Sequence, residues 1–115
     1  MTNLKSTLSA ALIGALVSFS APAVAADAEF TITFTDGVVD PQVVDVPADI
    51  AFTLIVKNTG TTPGEFESKP LHIEQVIAPG DLATFQINGL PEGVYKFVEE
   101  FHEDQPTGRG VINAK

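Results

Sequence analysis

Side chains that could bind a metal ion are concentrated near the end of the chain. Positions 99–104 read Glu-Glu-Phe-His-Glu-Asp, which is four carboxylates and one imidazole with no basic residue among them. A second acidic pair, Glu65 and Glu67, has only Lys69 as a basic neighbour in sequence. Carboxylate oxygens and imidazole nitrogens are ligands for divalent metals. A bound cation would neutralise both groups of negative charge.

The alternative interpretation is that these residues are solvated loop side chains of an acidic protein. Residues 26–115 contain 15 acidic and 5 basic side chains, which gives a formal net charge of −10. A charge of this sign repels phosphate backbones, and the sequence has no stripe of Lys and Arg, so nucleic-acid binding is excluded. Both the metal-site and the solvated-loop interpretations stay open at this point.

Other catalytic chemistry has little support. The chain contains no Cys, no G-x-S-x-G sequence and no glycine-rich phosphate loop. Nucleophilic hydrolysis is therefore disfavoured. Glycoside hydrolysis could draw two carboxylates from the acidic clusters, but a domain of about 90 residues lacks the long loops that build a sugar cleft.

Hydrophobic periodicity predicts the elements that must position these side chains. Apolar residues recur at every second position in most segments after residue 26, which is the pattern of strands with one buried face. We therefore predict an all-β domain of about seven short strands, arranged as an antiparallel Greek-key β-sandwich. Residues 61–70 are predicted to be a long loop. The predicted strands cover residues 30–35, 43–46, 52–56, 72–77, 83–87, 94–99 and 111–112.

The strand 94–99 directs one acidic side chain toward the core. Tyr95 and Phe97 are two residues apart and should both face inward, so Glu99 should face inward as well. Burying an unpaired carboxylate costs several kcal/mol, so Glu99 needs a cation or a hydrogen-bonding partner. Tyr95 follows a turn and is expected to anchor the fold by bonding its hydroxyl to upstream backbone.

The first 25 residues predict a secretory signal peptide. They contain no acidic residue, one basic residue, Lys5, and an apolar run over 8–19 that is followed by Ala23-Val24-Ala25. This pattern is typical of a signal peptide cut after Ala25, and the run is short of the about 20 apolar residues that a membrane-spanning helix needs. We predict a signal peptide at 1–25 and one domain at 26–115, exported as a soluble protein without membrane insertion after cleavage.

The residues from Gly93 to Ile112 resemble the signature of the cupredoxins. In that family a G-x-Y-x-F sequence, here 93–97, leads into the metal ligands. Blue-copper members have a Cys two residues after the Phe and a His three residues further on, and these positions hold Glu99 and His102 here. The position of the usual Met ligand holds no Met. The resemblance implies a cupredoxin-like fold that is not a blue-copper protein, because the soft sulfur ligands are absent.

More narrowly, segments 58–68 and 99–102 are similar to the exported cupredoxin-like proteins of bacterial high-affinity iron uptake systems. The resemblance implies a periplasmic protein that binds one iron ion beside an iron-binding partner protein and an iron permease, and it leaves ferroxidase-like oxidation of Fe(II) open. It brings residues 65–69 to the same pole as the last ligand loop. The implied ligands are Glu67, Glu99, Glu100 and His102, with Glu65, Glu74 and Glu103 as supporting or alternative ligands.

Two other functions fit the same residues. Copper binding is the first, because Cu(II) has the highest affinity among divalent metals for nitrogen and oxygen sites. The second is a metal-free interaction module whose acidic pole docks a basic partner. Iron handling is the function we expect, since hard carboxylate oxygens stabilise Fe(III) over Fe(II) and His102 adds a borderline ligand.

Overall fold

The computed structural model describes residues 11–20 and 27–115, and residues 11–20 form neither helix nor strand. The predicted cleavage point after Ala25 lies outside the described residues, so the signal peptide stays a prediction. In the two described stretches no helix has the length and apolar character that crossing a membrane requires.

The domain is built from strands, as the hydrophobic alternation predicts. Two short 3₁₀ turns, Glu100–His102 and Pro106–Gly108, precede the last strand. The described residues form nine strands: β1 Ala28–Thr35, β2 Val38–Asp40, β3 Val43–Val46, β4 Phe52–Asn58, β5 Gly64–Ser68, β6 Ile73–Ile77, β7 Leu82–Ile87, β8 Gly93–Glu99 and β9 Arg109–Ala114.

These strands form two sheets, which confirms the predicted all-β sandwich. The first sheet has the order β2-β1-β4-β7 and the second has the order β3-β9-β8-β5-β6. Two neighbouring pairs, β1 with β4 and β3 with β9, are parallel rather than antiparallel. The chain leaves the first sheet after β2, adds β3 to the second sheet and returns to the first sheet at β4.

Two strands were absent from the sequence prediction. β2 follows β1 through a tight turn at Asp36-Gly37, where both residues have positive φ of 45° and 88°, as expected for a two-residue hairpin turn. β5 lies inside residues 61–70, which were predicted to be a loop, and this prediction is wrong for residues 64–68. Its side chains alternate, with Phe66 buried between two half-buried glutamates. The strand is paired on both sides, with β8 and with β6.

An aromatic cluster joins the two sheets beneath β5. The ring of Phe66, fully buried, packs against Phe34, Phe85 and Phe97, with centroid distances of 6.4, 5.7 and 5.2 Å. Aromatic pairs at these separations stabilise a core beyond the area they bury. The cluster therefore fixes β5 against β8, the strand that leads into the acidic run.

Tyr95 has the anchoring contact that the sequence predicts. Its hydroxyl donates a hydrogen bond of 2.7 Å to the backbone carbonyl of Pro91, four residues upstream. The ring is partly buried and packs against the core. The contact ties the start of β8 to the loop before it.

Candidate metal centre

The pairing of β5 with β8 brings the two acidic segments together. Phe66 lies opposite Glu99, and Glu67 lies opposite Val98. Successive side chains of a strand point to opposite faces, so Phe66 and Glu99 face the core while Glu67 faces outward. Residues that were 32 positions apart in sequence, Glu67 and Glu99, are thus neighbours in adjacent strands.

Three carboxylates meet on the outer side of this strand pair. Oxygen atoms of Glu65, Glu74 and Glu100 all lie within 4.8 Å of one another. Glu65 and Glu100 are half-buried, whereas Glu74 is exposed. We call these three residues the carboxylate triad. A separation of this size allows one oxygen from each residue to reach a single cation with small side-chain adjustments.

The hairpin of β5 and β6 supplies two members of the triad, Glu65 and Glu74. Glu74 on β6 lies directly opposite Glu67 on β5, and Glu65 is the diagonal neighbour of Glu74. Like charges directly opposite each other across a strand pair destabilise it. The three carboxylates of the hairpin, Glu65, Glu67 and Glu74, therefore repel one another unless a proton or a cation offsets their charge.

Proton affinities in the triad reflect this crowding. Removal from water, together with the nearby charges of Glu65 and Glu67, raises the pKa of Glu100 to about 7. Removal from water and a hydrogen bond with Glu74 also raise the pKa of Glu65. The Oε2 atom of Glu100 is buried and has no hydrogen-bond partner among the described residues. An oxygen in this state is suited to accept a proton or a metal ion.

Glu99 and His102 form a separate pair on the inner side. Glu99, only 1% exposed, bonds through Oε2 to Nδ1 of His102. Its Oε1 accepts hydrogen bonds from the backbone N–H of Glu65 at 3.0 Å and of Phe101 at 3.1 Å. Residues at i and i+3 eclipse each other in a 3₁₀ turn, which places the imidazole over the carboxylate. The inward orientation predicted for Glu99 is confirmed.

The six predicted ligands therefore divide into groups. Glu65 and Glu100 belong to the triad, and Glu67 lies close enough to raise the pKa of Glu100. Glu99 and His102 bond to each other. Glu103 has an exposed side chain, and its backbone carbonyl accepts a 2.6 Å hydrogen bond from Nε of Arg109. The ligand roles of these six residues stay predictions.

Glu74 contributes more directly to the candidate site than the sequence alone indicates. It was expected only as a supporting or alternative ligand, yet it completes the triad. The signal was the alternation of Glu65, Phe66, Glu67 and Ser68, which is the pattern of a half-buried strand. Read as a strand rather than a loop, this segment pairs with residues 73–77 and brings Glu74 across from it.

A carboxylate in the β1–β2 turn anchors the entrance to β5. Oδ1 of Asp36 accepts hydrogen bonds from the backbone N–H of Thr61 at 2.8 Å and of Thr62 at 3.2 Å. The hydrogen bond from the Thr61 backbone makes the largest contribution to lowering the pKa of Asp36. Asp36 thus fixes the chain just before Gly64, where the strand that carries Glu65 begins.

Comparison with known sequences gives one family. A sequence profile of the cupredoxin-like domain matches residues 8–112. An uncharacterized protein of Rickettsia prowazekii (strain Madrid E) is 33% identical over 85 residues, which is 74% of this chain and 68% of the relative.

Solved structures with the same fold include copper proteins. The purple cupredoxin of Nitrosopumilus maritimus superposes with a TM-score of 0.55 at 20% identity, over 77% of this chain and 100% of its own. The metal binding domain of the Streptococcus pneumoniae Cu(I) exporting P-type ATPase, solved with Cu(I), has a TM-score of 0.61 at 10% identity, over 76% of this chain and 84% of that one. At these identities the likeness establishes the fold, and it confirms the cupredoxin-like sandwich.

Proposed function

The chain belongs to the cupredoxin-like domain family, and we propose that it binds one metal ion at the carboxylate triad of Glu65, Glu74 and Glu100, with iron as the physiological metal. The observation that carries the proposal is the convergence of three carboxylates within 4.8 Å, one of which has a buried oxygen without a partner. Glu67 lies close enough to raise the pKa of Glu100 and is the candidate for an additional ligand.

Electrostatics support a cation at this position. The carboxylates repel one another, and the pKa of Glu100 is raised to about 7 by removal from water and by Glu65 and Glu67. A divalent or trivalent cation would replace this repulsion with attraction to several oxygens. The basic side chain nearest in sequence to β5, Lys69, is exposed and does not form a salt bridge within 4.0 Å among the described residues.

Donor chemistry supports iron over a sulfur-bound metal. The chain has no Cys, and its one Met is Met1. Carboxylate oxygens suit hard cations, whereas Cu(I) prefers thiolate or thioether ligands. A site of this kind favours Fe(III) over Fe(II), which lowers the reduction potential of bound iron. Ferroxidase-like activity would then consist of one-electron transfer from bound Fe(II) to an acceptor such as dioxygen.

His102 stays a candidate ligand through its second ring nitrogen. Its Nδ1 bonds to the Glu99 carboxylate, and metal-binding histidines commonly use one nitrogen in this way while the other meets the metal. The carboxylate triad does not include His102. We therefore assign the triad as the core of the site. The His102 imidazole is an additional candidate ligand, which would bind the ion through Nε2.

Copper is the second candidate metal. The structural neighbours include a domain solved with Cu(I), and Cu(II) binds oxygen and nitrogen donors more tightly than Fe(II) does. Occupancy of the protein by Cu(II) rather than iron under equal supply would favour this assignment.

The setting of the proposal is the bacterial periplasm. It includes export by the signal peptide at 1–25 and delivery of iron between a periplasmic iron-binding protein and an iron permease. The resemblance of segments 58–68 and 99–102 to exported proteins of iron uptake systems supports this setting. Edman sequencing of the secreted protein would test cleavage after Ala25, and cross-linking in membranes would test the partners.

Calorimetry with defined variants tests the metal site. Metal-free protein is titrated anaerobically with Fe(II), and separately with Mn(II) and Cu(II). Glu100→Gln, which removes the charge but keeps the shape, should abolish or strongly weaken binding. Glu92→Gln is the matched control, because Glu92 is exposed and precedes the opposite end of β8, and it should bind as the unmodified chain does.

Two results would contradict the proposal. Equal binding by Glu100→Gln and Glu92→Gln would move the metal away from the triad. No binding of any metal by the unmodified chain, together with salt-sensitive binding of a basic protein, would favour the metal-free interaction module.

A further inference from the structure

We infer that Glu99 is a positioning residue for the carboxylate triad: its buried side chain joins the two backbone segments that carry Glu65 and Glu100, and it does not itself ligate the metal. This inference rests on the proposed metal site and deepens it. It assigns the most buried acidic side chain of the protein a role distinct from that of its neighbours.

The hydrogen bonds of Oε1 define the role. This single oxygen accepts the N–H of Glu65 at 3.0 Å and the N–H of Phe101 at 3.1 Å. The first amide belongs to a triad residue on β5, and the second directly follows the triad residue Glu100. One carboxylate oxygen therefore holds both segments at a set separation from the inner side, while the Glu65 and Glu100 side chains meet outside.

The second oxygen of Glu99 is also engaged. Oε2 bonds to Nδ1 of His102. The imidazole in turn lies against Gly37, where an added Cβ would come within 3.0 Å of Cδ2 of the ring. Gly37 has φ of +88° and is buried. The imidazole thus contacts both the Glu99 carboxylate and the turn between β1 and β2.

Burial separates Glu99 from the residues suited to bind metal. Glu99 is 1% exposed and both of its oxygens have protein partners. Glu100, the next residue, has a buried oxygen with no partner among the described residues. A metal ion at Glu99 would have to displace a hydrogen bond in the interior, whereas at Glu100 it would meet a free oxygen.

Gly64 lies in a close-packed position between Phe34 and Glu99. A Cβ at Gly64 would lie 3.5 Å from Cγ of Glu99 and 2.9 Å from Cδ2 of Phe34. The start of β5 therefore packs closely on the side chain that bonds to it. Because Oε1 accepts both hydrogen bonds, removing it frees the Glu65 and Phe101 amides and should loosen the triad.

Three variants separate positioning from ligation. In Glu99→Gln, an amide oxygen still accepts from both N–H groups, and its NH₂ can donate to His102 in the other tautomer. In Glu99→Leu, the acceptor is lost at similar volume. Glu100→Gln removes a proposed ligand. Mn(II) affinity is measured for each by calorimetry, and amide hydrogen exchange of Glu65 and Phe101 is followed by NMR in the metal-free proteins.

Positioning predicts that Glu99→Gln binds Mn(II) nearly as tightly as the unmodified chain, and that Glu99→Leu weakens binding roughly 10- to 100-fold, as loss of a ligand-orienting group does. Exchange of the Glu65 and Phe101 amides should accelerate in Glu99→Leu and stay slow in Glu99→Gln. Loss of affinity in Glu99→Gln equal to that in Glu100→Gln would identify Glu99 as a ligand and overturn the inference.

The exchange measurement keeps the two proposals distinguishable. If the unmodified chain binds no Mn(II) or iron, the proposed function fails whatever the variants do. If metal binds but the Glu65 and Phe101 amides stay protected in Glu99→Leu, the proposed function stands and the positioning role is overturned. Should Glu99→Leu fail to fold, Glu99→Gln against Glu100→Gln still decides between the two roles.

Discussion

Phe66 on β5 lies directly opposite Glu99 on β8, and both side chains are buried. Because side chains alternate along a strand, this register directs the adjoining residues Glu65 and Glu100 to the outer side, where their carboxylates converge with Glu74. The pairing of Phe66 with Glu99 thus determines both the packing of the core at this end and the position of the carboxylate triad.

Metal affinity should rise steeply with pH. Removal from water and the neighbouring carboxylates raise the pKa of Glu100 to about 7. A metal ion must therefore displace the proton that the Glu100 carboxylate carries. We expect Mn(II) or Fe(II) affinity to increase from about pH 5 to about pH 8, with release of close to one proton near neutrality. Calorimetry in buffers of different ionisation enthalpy measures that proton, and Glu100→Gln should lack it.

Stability of the metal-free protein should change in the opposite direction. The pKa of Glu100 in the folded state, about 7, is above its ordinary value of 4.5. Protonation therefore contributes stability that is fully present below about pH 4.5 and lost as pH rises through about 7. Thermal unfolding in the presence of a chelator should show a lower Tm at about pH 8 than at about pH 5, and a smaller fall in Glu100→Gln.

The matched control for this measurement is Glu92→Gln. Glu92 is exposed and is not part of the triad, so its variant should lose stability with pH as the unmodified chain does. An equal decrease of Tm in the unmodified chain and in Glu100→Gln would show that the triad does not titrate in this range.

Truncation of Phe66 should be among the most damaging core changes. Its ring is fully buried and packs on three other aromatic rings. Phe66→Ala should lower the free energy of unfolding by about 3 to 5 kcal/mol, through lost transfer free energy and the cavity left behind. Urea denaturation followed by fluorescence of Tyr95 or by circular dichroism measures the change, and a loss below about 1 kcal/mol would contradict the packing described.

Removing the Tyr95 hydroxyl should have a smaller effect. Tyr95→Phe keeps the ring but deletes the 2.7 Å hydrogen bond to the Pro91 carbonyl. The expected cost is about 1 kcal/mol in the free energy of unfolding, which is typical of one intramolecular hydrogen bond. Metal affinity should be unchanged because Tyr95 lies near the start of β8, whereas the triad residue Glu100 follows the other end of this strand. Reduced metal affinity in Tyr95→Phe would show that the two ends of β8 are coupled.

Much of the fold could be predicted because its signals are local. The alternation of Phe30, Ile32 and Phe34 with threonines marks β1, and the turn residues around each strand set the strand lengths. The alternation of Tyr95 and Phe97 in β8 likewise predicted that Glu99 faces inward, and Glu99 is buried. β2 and β5 were missed because each is short and adjoins turn residues, which favour a loop when a segment is considered by itself.

Sheet order could not be predicted in this way. The parallel neighbours β1 with β4 and β3 with β9 depend on where the chain crosses between sheets. The hydrophobic pattern of a strand predicts which of its faces is buried, but it does not predict which other strand pairs with it. For the same reason the sequence pointed to two acidic segments but could not show which of their carboxylates meet.

The amino-acid sequence by itself determined the residue inventory and the alternation: a strand-rich acidic chain without Cys, in which Glu99 faces inward and any metal must rely on oxygen and imidazole donors. Tertiary structure alone decided that β5 lies between β6 and β8, and therefore that Glu74 joins Glu65 and Glu100 while Glu99 bonds to His102. The physical reason is that alternation is set by neighbouring backbone geometry, whereas strand pairing is set by packing between residues far apart in the chain.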